Sequence, residues 1–190
     1  MYELHITPNE DFKEDFIDIA QRYKLKLISH DNLDINGNFL YSETMIAEKC
    51  KDLSELNRKI ELLYSVARQH NLLRTKIESE INDVFNFKIP YRIGANYYEF
   101  HIDIITDTIT EDISYICENF EMAISKNPNK DTFMLTYRTD NLEKYKQYFF
   151  DVQYTLAKYN IEIKRKIKEY CFCDDNIEVD NPWLKTYNLI

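Results

Sequence analysis

The chain has 190 residues, of which 44% are hydrophobic and 14% aromatic, and it contains only two glycines and four prolines. This composition excludes a disordered or fibrous protein and predicts long regular elements around a sizeable core. The formal net charge of −9 opposes long-range attraction to a nucleic-acid backbone, so we expect no extended duplex nucleic acid as a partner.

The start of the chain has no basic leader, and no apolar run approaches the roughly 20 residues that a membrane-spanning helix needs. We therefore expect a cytoplasmic protein without membrane association. The abundance of Asn, Ile, Lys and Tyr indicates an AT-rich genome, such as that of a parasite, a low-GC bacterium or a virus. The cysteines are few and dispersed, which favours reduced thiols over a disulfide framework: Cys50, Cys117, Cys171 and Cys173.

An internal repeat begins at the first predicted strand, where residues 2–7 match residues 98–103 in Tyr, Glu and His and in the apolar positions between them. In both halves an amphipathic helix follows, then a short strand, a hairpin and a second helix. The second helices open on Asp-x-x-Glu caps, Asp52 with Glu55 and Asp140 with Glu143. Each half closes on a basic strand.

The element order is therefore βαββαβ in each half, and the sequence predicts the α+β class with two tandem ferredoxin-like βαββαβ repeats. We expect antiparallel sheets related by a pseudo-twofold, each with the strand order 4-1-3-2. The predicted boundaries are 1–81 for the first repeat and 97–170 for the second. Residues 82–96 form a packed connector, and residues 171–190 form a tail that packs on the body through Trp183.

The faces of the strands point to candidate site residues, because alternate residues of a strand share a face. In the first strand of each half, a histidine is predicted to face away from the helices, and the neighbouring fourth strand adds basic side chains. If the two sheets face each other, the histidines meet across an inter-lobe cleft. One histidine can then act as base and the other as acid on a phosphate that cations neutralise. The candidates are His5, His101, Thr7, Asp103, Arg74, Lys76, Lys164 and Lys166.

The motifs His5-Ile6-Thr7 and His101-Ile102-Asp103 resemble those of the two-histidine (2H) phosphoesterases, whose duplicated fold carries a His-x-Thr/Ser motif on a strand of each lobe. The resemblance implies hydrolysis or cyclisation of a phosphodiester without metal or cofactor, with His5 and His101 catalytic. Its implied partner is a small phosphorylated ligand or an RNA end. Asp103 departs from the family by placing a carboxylate where a hydroxyl binds phosphate.

Other interpretations remain open at this point, including whether the protein is an enzyme at all. The histidines can be ordinary sheet residues bonded to Glu3 and Glu99, in a non-catalytic interaction protein whose sheet faces form a seam or bind a protein partner or a second copy. The same carboxylates and histidines are metal-ligand types, but the adjacent lysines oppose a cation, so we expect no metal.

Overall fold

A computed structural model describes residues 1–68, 71–81 and 96–180. Within these ranges the chain forms eight strands and four α-helices, in the order βαββαβ and again βαββαβ. The strands are β1 (Tyr2–Pro8), β2 (Leu27–Leu33), β3 (Phe39–Cys50), β4 (Leu72–Glu80), β5 (Tyr97–Ile105), β6 (Ala123–Lys126), β7 (Thr132–Thr139) and β8 (Glu162–Asp174). The helices are α1 (Lys13–Tyr23), α2 (Leu53–Ala67), α3 (Glu111–Asn119) and α4 (Leu142–Lys158).

The strands of the described chain close into one antiparallel barrel in the order β1-β3-β2-β6-β7-β5-β8-β4, with β4 returning to β1. Within each half the order is 4-1-3-2, and two seams join the halves: β2 pairs with β6, and β4 pairs with β8. The prediction of two separate ferredoxin-like sheets is therefore wrong. Each four-stranded sheet has two unpaired edges, and the barrel removes them by pairing each edge with its counterpart in the other half.

The apolar cores lie between the helices and the outer wall of the barrel, one under each helix pair. In the first half Ile6 packs with Phe16 of α1 and Leu63 of α2, and all three are fully buried. In the second half the Phe100 ring lies 5.4 Å from the Phe149 ring of α4. Burying each such side chain stabilises the fold by about 1.5–3 kcal/mol relative to leaving it exposed.

The two predicted caps differ in outcome. The side chain of Asp52 accepts a hydrogen bond from the Glu55 amide at 2.8 Å, so this cap of α2 is confirmed. At α4 the N-cap is Asn141, whose side chain accepts from the Glu143 amide at 3.0 Å. The cap predicted at Asp140 is therefore wrong by one residue. Asn and Asp are about equally favourable as N-cap residues, so the sequence does not show which of the adjacent Asp140 and Asn141 caps α4.

The predicted end of the second repeat, residue 170, falls inside the last strand. β8 continues past residue 170 to Asp174, where a short turn leads to a 3₁₀ helix, Ile177–Asp180. Apart from Asn96, the predicted connector at 82–96 lies outside the described residues. Trp183 and the part of the tail beyond residue 180 also lie outside them.

The cysteines are free thiols, and they are buried except for the half-buried Cys173. No helix in the described ranges is long and apolar enough to cross a membrane. The cytoplasmic location stays a prediction.

Candidate acid–base and ligand site

The interior of the barrel is lined by the polar faces of the strands. His5 and Thr7 of β1 line it, as do His101 and Asp103 of β5, whereas the residues between them pack under the helices. Together with the other inward side chains they surround a cavity of about 850 Å³, within the usual size range of small-molecule sites. The alternation predicted for these two strands thus brings both histidines to one cavity, which is the barrel interior.

Lys76 of β4 links the two halves inside the barrel. Its Nζ lies 2.6 Å from Oε1 of Glu78 and 3.0 Å from Oε2 of Glu99, and neither carboxylate side chain is more than 4% exposed. Burial opposes the charge of Lys76, but the two carboxylates outweigh it and raise the pKa of the ammonium. Lys76 is therefore a permanent internal cation.

His5 and Glu78 form a buried acid–base pair. Nε2 of His5 lies 3.2 Å from Oε2 of Glu78 without hydrogen-bond alignment, and this nitrogen has no hydrogen-bond partner among the described residues. Burial, followed by the charge of Lys76, lowers the pKa of His5 to about 3. Burial raises the pKa of Glu78 to about 8. At pH 7 the pair therefore keeps its proton on the Glu78 carboxyl, beside a neutral imidazole.

His101 occupies the equivalent position of the second half but has a different environment. Its Nδ1 lies 2.8 Å from Oγ1 of Thr136, and its Nε2 lies 3.1 Å from Glu169 and 3.3 Å from Glu99. Although burial opposes protonation, the hydrogen bond to Glu169 and the charge of Glu99 raise the pKa of His101. His101 is thus held on both ring nitrogens, and the two histidines do not form a symmetric pair.

A cluster of ion pairs fills one end of the interior around Arg74. Its Nε donates to Oδ1 of Asp174 at 2.9 Å, and its Nη1 donates to Oδ1 of Asp180 at 3.0 Å. Arg138 of β7 approaches the same Asp180 carboxylate, with 2.6 Å between Nη2 and Oδ2. Burial opposes the charge of Arg74, but Asp180 and Asp174 raise the pKa of its guanidinium.

Thr7 and Asp103, which were predicted to bind ligand, both have partners inside the barrel. The Thr7 hydroxyl donates to Oε1 of Glu43 at 3.0 Å. Asp103 accepts a hydrogen bond from Nε of Arg165 at 2.9 Å. The carboxylate that replaces the family hydroxyl is therefore neutralised by an arginine. Ligand binding by either residue stays a prediction.

The alternation predicted for β8 is wrong by one residue. Arg165 lies opposite the inward-facing Asp103, whereas Lys166 lies opposite Ile102, which packs under the helices. Arg165, Lys166 and Glu169 all border the cavity, but Nζ of Lys166 donates to Oε1 of Gln153 on α4 at 2.8 Å, and Lys164 is exposed. Residues 164–166 are all basic, so the sequence does not show which of them face the barrel interior and which face the helices. The ligand-binding role of Lys164 and Lys166 stays a prediction.

Several important residues of the site did not stand out in the sequence. Glu78 alternates with Lys76 on β4, so the strand period does place it on the inner face, but its raised pKa depends on burial by both halves. Arg138 lies at the end of β7, and Asp180 lies beyond the repeat. Nothing local in the sequence predicts that these two side chains meet.

A metal site has no support among the residues that the structure describes, since no group of three or more His, Cys, Asp or Glu side chains comes together there in a way that could hold a metal ion. Of the ligand types considered above, Glu99 contacts Lys76 and Arg138, and Asp103 contacts Arg165. Lysine and arginine supply the positive charge at these carboxylates.

No protein-family model matches the chain, and no curated protein matches it. Among solved structures, a mutant chlorite dismutase from Candidatus Nitrospira defluvii is 11% identical, with 98% of this chain and 95% of that chain covered and a TM-score of 0.33. A proposed monooxygenase from Lactobacillus acidophilus NCFM is 11% identical, with coverages of 92% and 93% and a TM-score of 0.34. Likeness at this level supports no conclusion about cofactor or reaction.

The resemblance to 2H phosphoesterases is contradicted by the fold. It implied two lobes with a histidine of each facing an open cleft, whereas the described strands close into a single barrel. The two histidines also differ in environment, because burial lowers the pKa of His5 to about 3, whereas Glu169 and Glu99 raise the pKa of His101. Three matching residues in each half are a short motif, and the duplication itself repeats them without any shared chemistry.

Proposed function

We propose that the protein binds a small polar molecule inside the barrel and exchanges a proton with it through Glu78, beside the neutral His5. The observation that carries this proposal is a buried carboxyl with a pKa of about 8 beside a neutral imidazole, both lining a cavity of about 850 Å³. Strongly shifted pKa values inside a cavity are a feature of acid–base sites.

The cavity offers hydrogen-bonding groups that a ligand can satisfy. Besides Nε2 of His5, the buried Nδ2 of Asn32 has no hydrogen-bond partner in the described ranges, and both residues line the cavity. A buried polar atom without a partner costs about 1–3 kcal/mol. A polar ligand that pairs with these atoms recovers part of that free energy, which favours its binding.

The geometry also provides a route for the proton. The Glu78 carboxyl can donate its proton to a basic atom of the ligand, because the carboxylate left behind lies 2.6 Å from the Lys76 ammonium. Nε2 of His5 lies 3.2 Å from Oε2 of Glu78, and its lowered pKa keeps it unprotonated, so it can accept a hydrogen bond from the ligand. The Glu78 carboxylate, as the stronger base of the two, can take its proton back from the bound ligand.

A phosphorylated ligand remains a prediction. Arg74 and Lys76, which were expected to neutralise it, are both bound to carboxylates. Phosphodiester hydrolysis, which rested on the contradicted family resemblance, is not part of the proposal.

The proposal is tested by filling the cavity. In a thermal-shift screen of small polar metabolites, we expect some compounds to raise the melting temperature of the wild-type protein. Met134→Trp places a large ring among the cavity-lining residues and should abolish these shifts. Tyr154→Trp is the matched control, because Tyr154 is 75% exposed on α4. A screen without any stabilising compound, or shifts that persist in Met134→Trp, would contradict interior binding.

A second candidate, an interaction protein without catalysis, is favoured by aromatic side chains on the outer face of the second half. Tyr115 of α3 is 54% exposed, and Phe150 and Tyr154 of α4 are 51% and 75% exposed. Aromatic residues are enriched at protein interfaces. The sheet faces that were expected to bind a partner line the barrel interior, so a partner surface would lie on these helices.

A further inference from the structure

We propose that Arg74 and Arg138 form a binding site for an oxyanion, meaning the carboxylate or phosphate group of a ligand, and that Asp180 of the chain itself occupies this site in the present structure. The inference rests on the proposed function, because the site is part of the same cavity lining. It adds the chemical class of the ligand and an internal competitor for it.

The contacts of Asp180 are those of a bound oxyanion. Its Oδ1 accepts from Nη1 of Arg74 at 3.0 Å, and its Oδ2 accepts from Nη2 of the same guanidinium at 2.8 Å. Nη2 of Arg138 lies 2.6 Å from Oδ2. Paired N–H donors of arginine match the geometry of carboxylates and phosphates closely, and such charge-assisted bonds are among the strongest hydrogen bonds in proteins.

Both arginines are held in place independently of Asp180. Arg74 donates through Nε to Asp174 of β8, and Arg138 donates through Nε to Glu99 of β5 at 3.2 Å. The Arg138 guanidinium also lies over the Tyr97 ring, 4.0 Å from its centroid. The two cations would therefore keep their positions if Asp180 left, and the site is preorganised for another anion.

The charges make Asp180 and an anionic ligand alternatives to each other. With the neighbouring Glu78 carboxyl protonated at neutral pH, three buried cations face three carboxylates: Arg74, Arg138 and Lys76 against Asp174, Glu99 and Asp180. The cluster is neutral with Asp180 in place and carries one excess positive charge without it. An anion that bound in addition to Asp180 would leave an unpaired negative charge in the interior, which is strongly unfavourable.

Hydrogen bonds join the segment that carries Asp180 to β4, among them one from the Thr75 amide to Oδ1 of Asp175 at 2.6 Å. The Asp175 amide donates to the Thr75 carbonyl at 3.2 Å, and Nδ2 of Asn176 donates to the Leu73 carbonyl at 2.9 Å. Single hydrogen bonds of this kind contribute only about 0.5–1.5 kcal/mol each. Local opening of a segment can cost less free energy than global unfolding.

The test compares Asp180→Asn with Glu178→Gln in the full chain. Both changes remove one negative charge from the same 3₁₀ helix, but Glu178 is exposed and Asp180 is 3% exposed. By isothermal titration calorimetry, inorganic phosphate and acetate are titrated separately, which distinguishes a phosphate from a carboxylate ligand. We expect Asp180→Asn to bind at least one of them about tenfold or more tightly than the wild type or Glu178→Gln.

Equal affinities in all three proteins would overturn the inference, as would an equal gain in both variants. Adding Arg138→Gln to Asp180→Asn should remove the gain. If Asp180→Asn is poorly folded, its melting temperature is followed with increasing phosphate, and acetate in parallel. A larger rise in melting temperature with added anion in Asp180→Asn than in Glu178→Gln supports the site. The absence of such a rise contradicts it.

These results are separable from the test of the proposed function. If small molecules stabilise the wild-type protein and Met134→Trp blocks them, but Asp180→Asn gains no anion affinity, then only the present inference fails. If the metabolite screen finds no ligand while Asp180→Asn does gain anion affinity, interior ligand binding by the wild type fails and the oxyanion site stands.

Discussion

The pKa values of equivalent histidines in the two halves shift in opposite directions because their neighbours differ. Burial beside Met45 and Glu78 lowers the pKa of His5 to about 3, whereas the carboxylates of Glu169 and Glu99 raise the pKa of His101. A duplicated motif therefore does not imply a duplicated role. The residue with the property expected of an acid is Glu78, which the motif does not include.

The raised pKa of Glu78 predicts a specific loss of stability at alkaline pH. Its pKa rises from 4.5 to about 8 on folding, so the folded state binds the proton more tightly. The resulting stabilisation is present at low pH and is lost as the pH rises through 8. Between pH 6.5 and 8.5 we expect the wild type to lose roughly 2 kcal/mol of unfolding free energy more than Glu78→Gln. Urea denaturation at several pH values measures this difference.

The control for this prediction is Glu80→Gln, an exposed position of the same strand. It should retain the wild-type dependence on pH. The same slope in Glu78→Gln as in the wild type would show that Glu78 is ionised in the folded protein at neutral pH.

Among the elements, the short strand β6 closes one side of the barrel. It pairs with β2 on one side and β7 on the other, and its pairing with β2 is one of the two seams between the halves. Alternation and helical stripes in the sequence predicted the strands of each half, and their order in the sheet was taken from the usual form of a βαββαβ unit. It could not reveal the seams, because an edge strand has the same pattern whether its partner is water or another strand.

Proline in this strand should open the seam. Ser125 lies opposite Asn32 of β2 and Met134 of β7, and it is 5% exposed. Ser125→Pro removes a backbone donor from a strand paired on both sides, and we expect it to destabilise the protein by about 3 kcal/mol or more. Ser125→Thr keeps the N–H group and should change stability by much less. Thermal unfolding of both variants measures the difference, and equal stability of the two would argue against pairing of β6 on both sides.

In the whole molecule, closure of the barrel converts the polar faces of two half-sheets into one interior. The period-2 pattern predicted which residues of β1, β4 and β5 leave the helix side, including His5, Lys76 and His101. It did not predict that these residues would be enclosed, because enclosure requires charge pairing between distant parts of the chain. Arg74 with Asp174 and Lys76 with Glu99 are such pairs, and each joins one half to the other.

A cross-strand disulfide at the β2–β6 seam would show whether the barrel is closed. Asp31 and Lys126 are direct antiparallel partners there, so their side chains lie on the same side at a separation suited to a disulfide. We predict that Asp31→Cys/Lys126→Cys, oxidised at low concentration, forms an intrachain 31–126 disulfide detectable by peptide mass spectrometry, which neither single variant can form. The absence of this bond, or its formation only between two chains, would contradict the closed barrel.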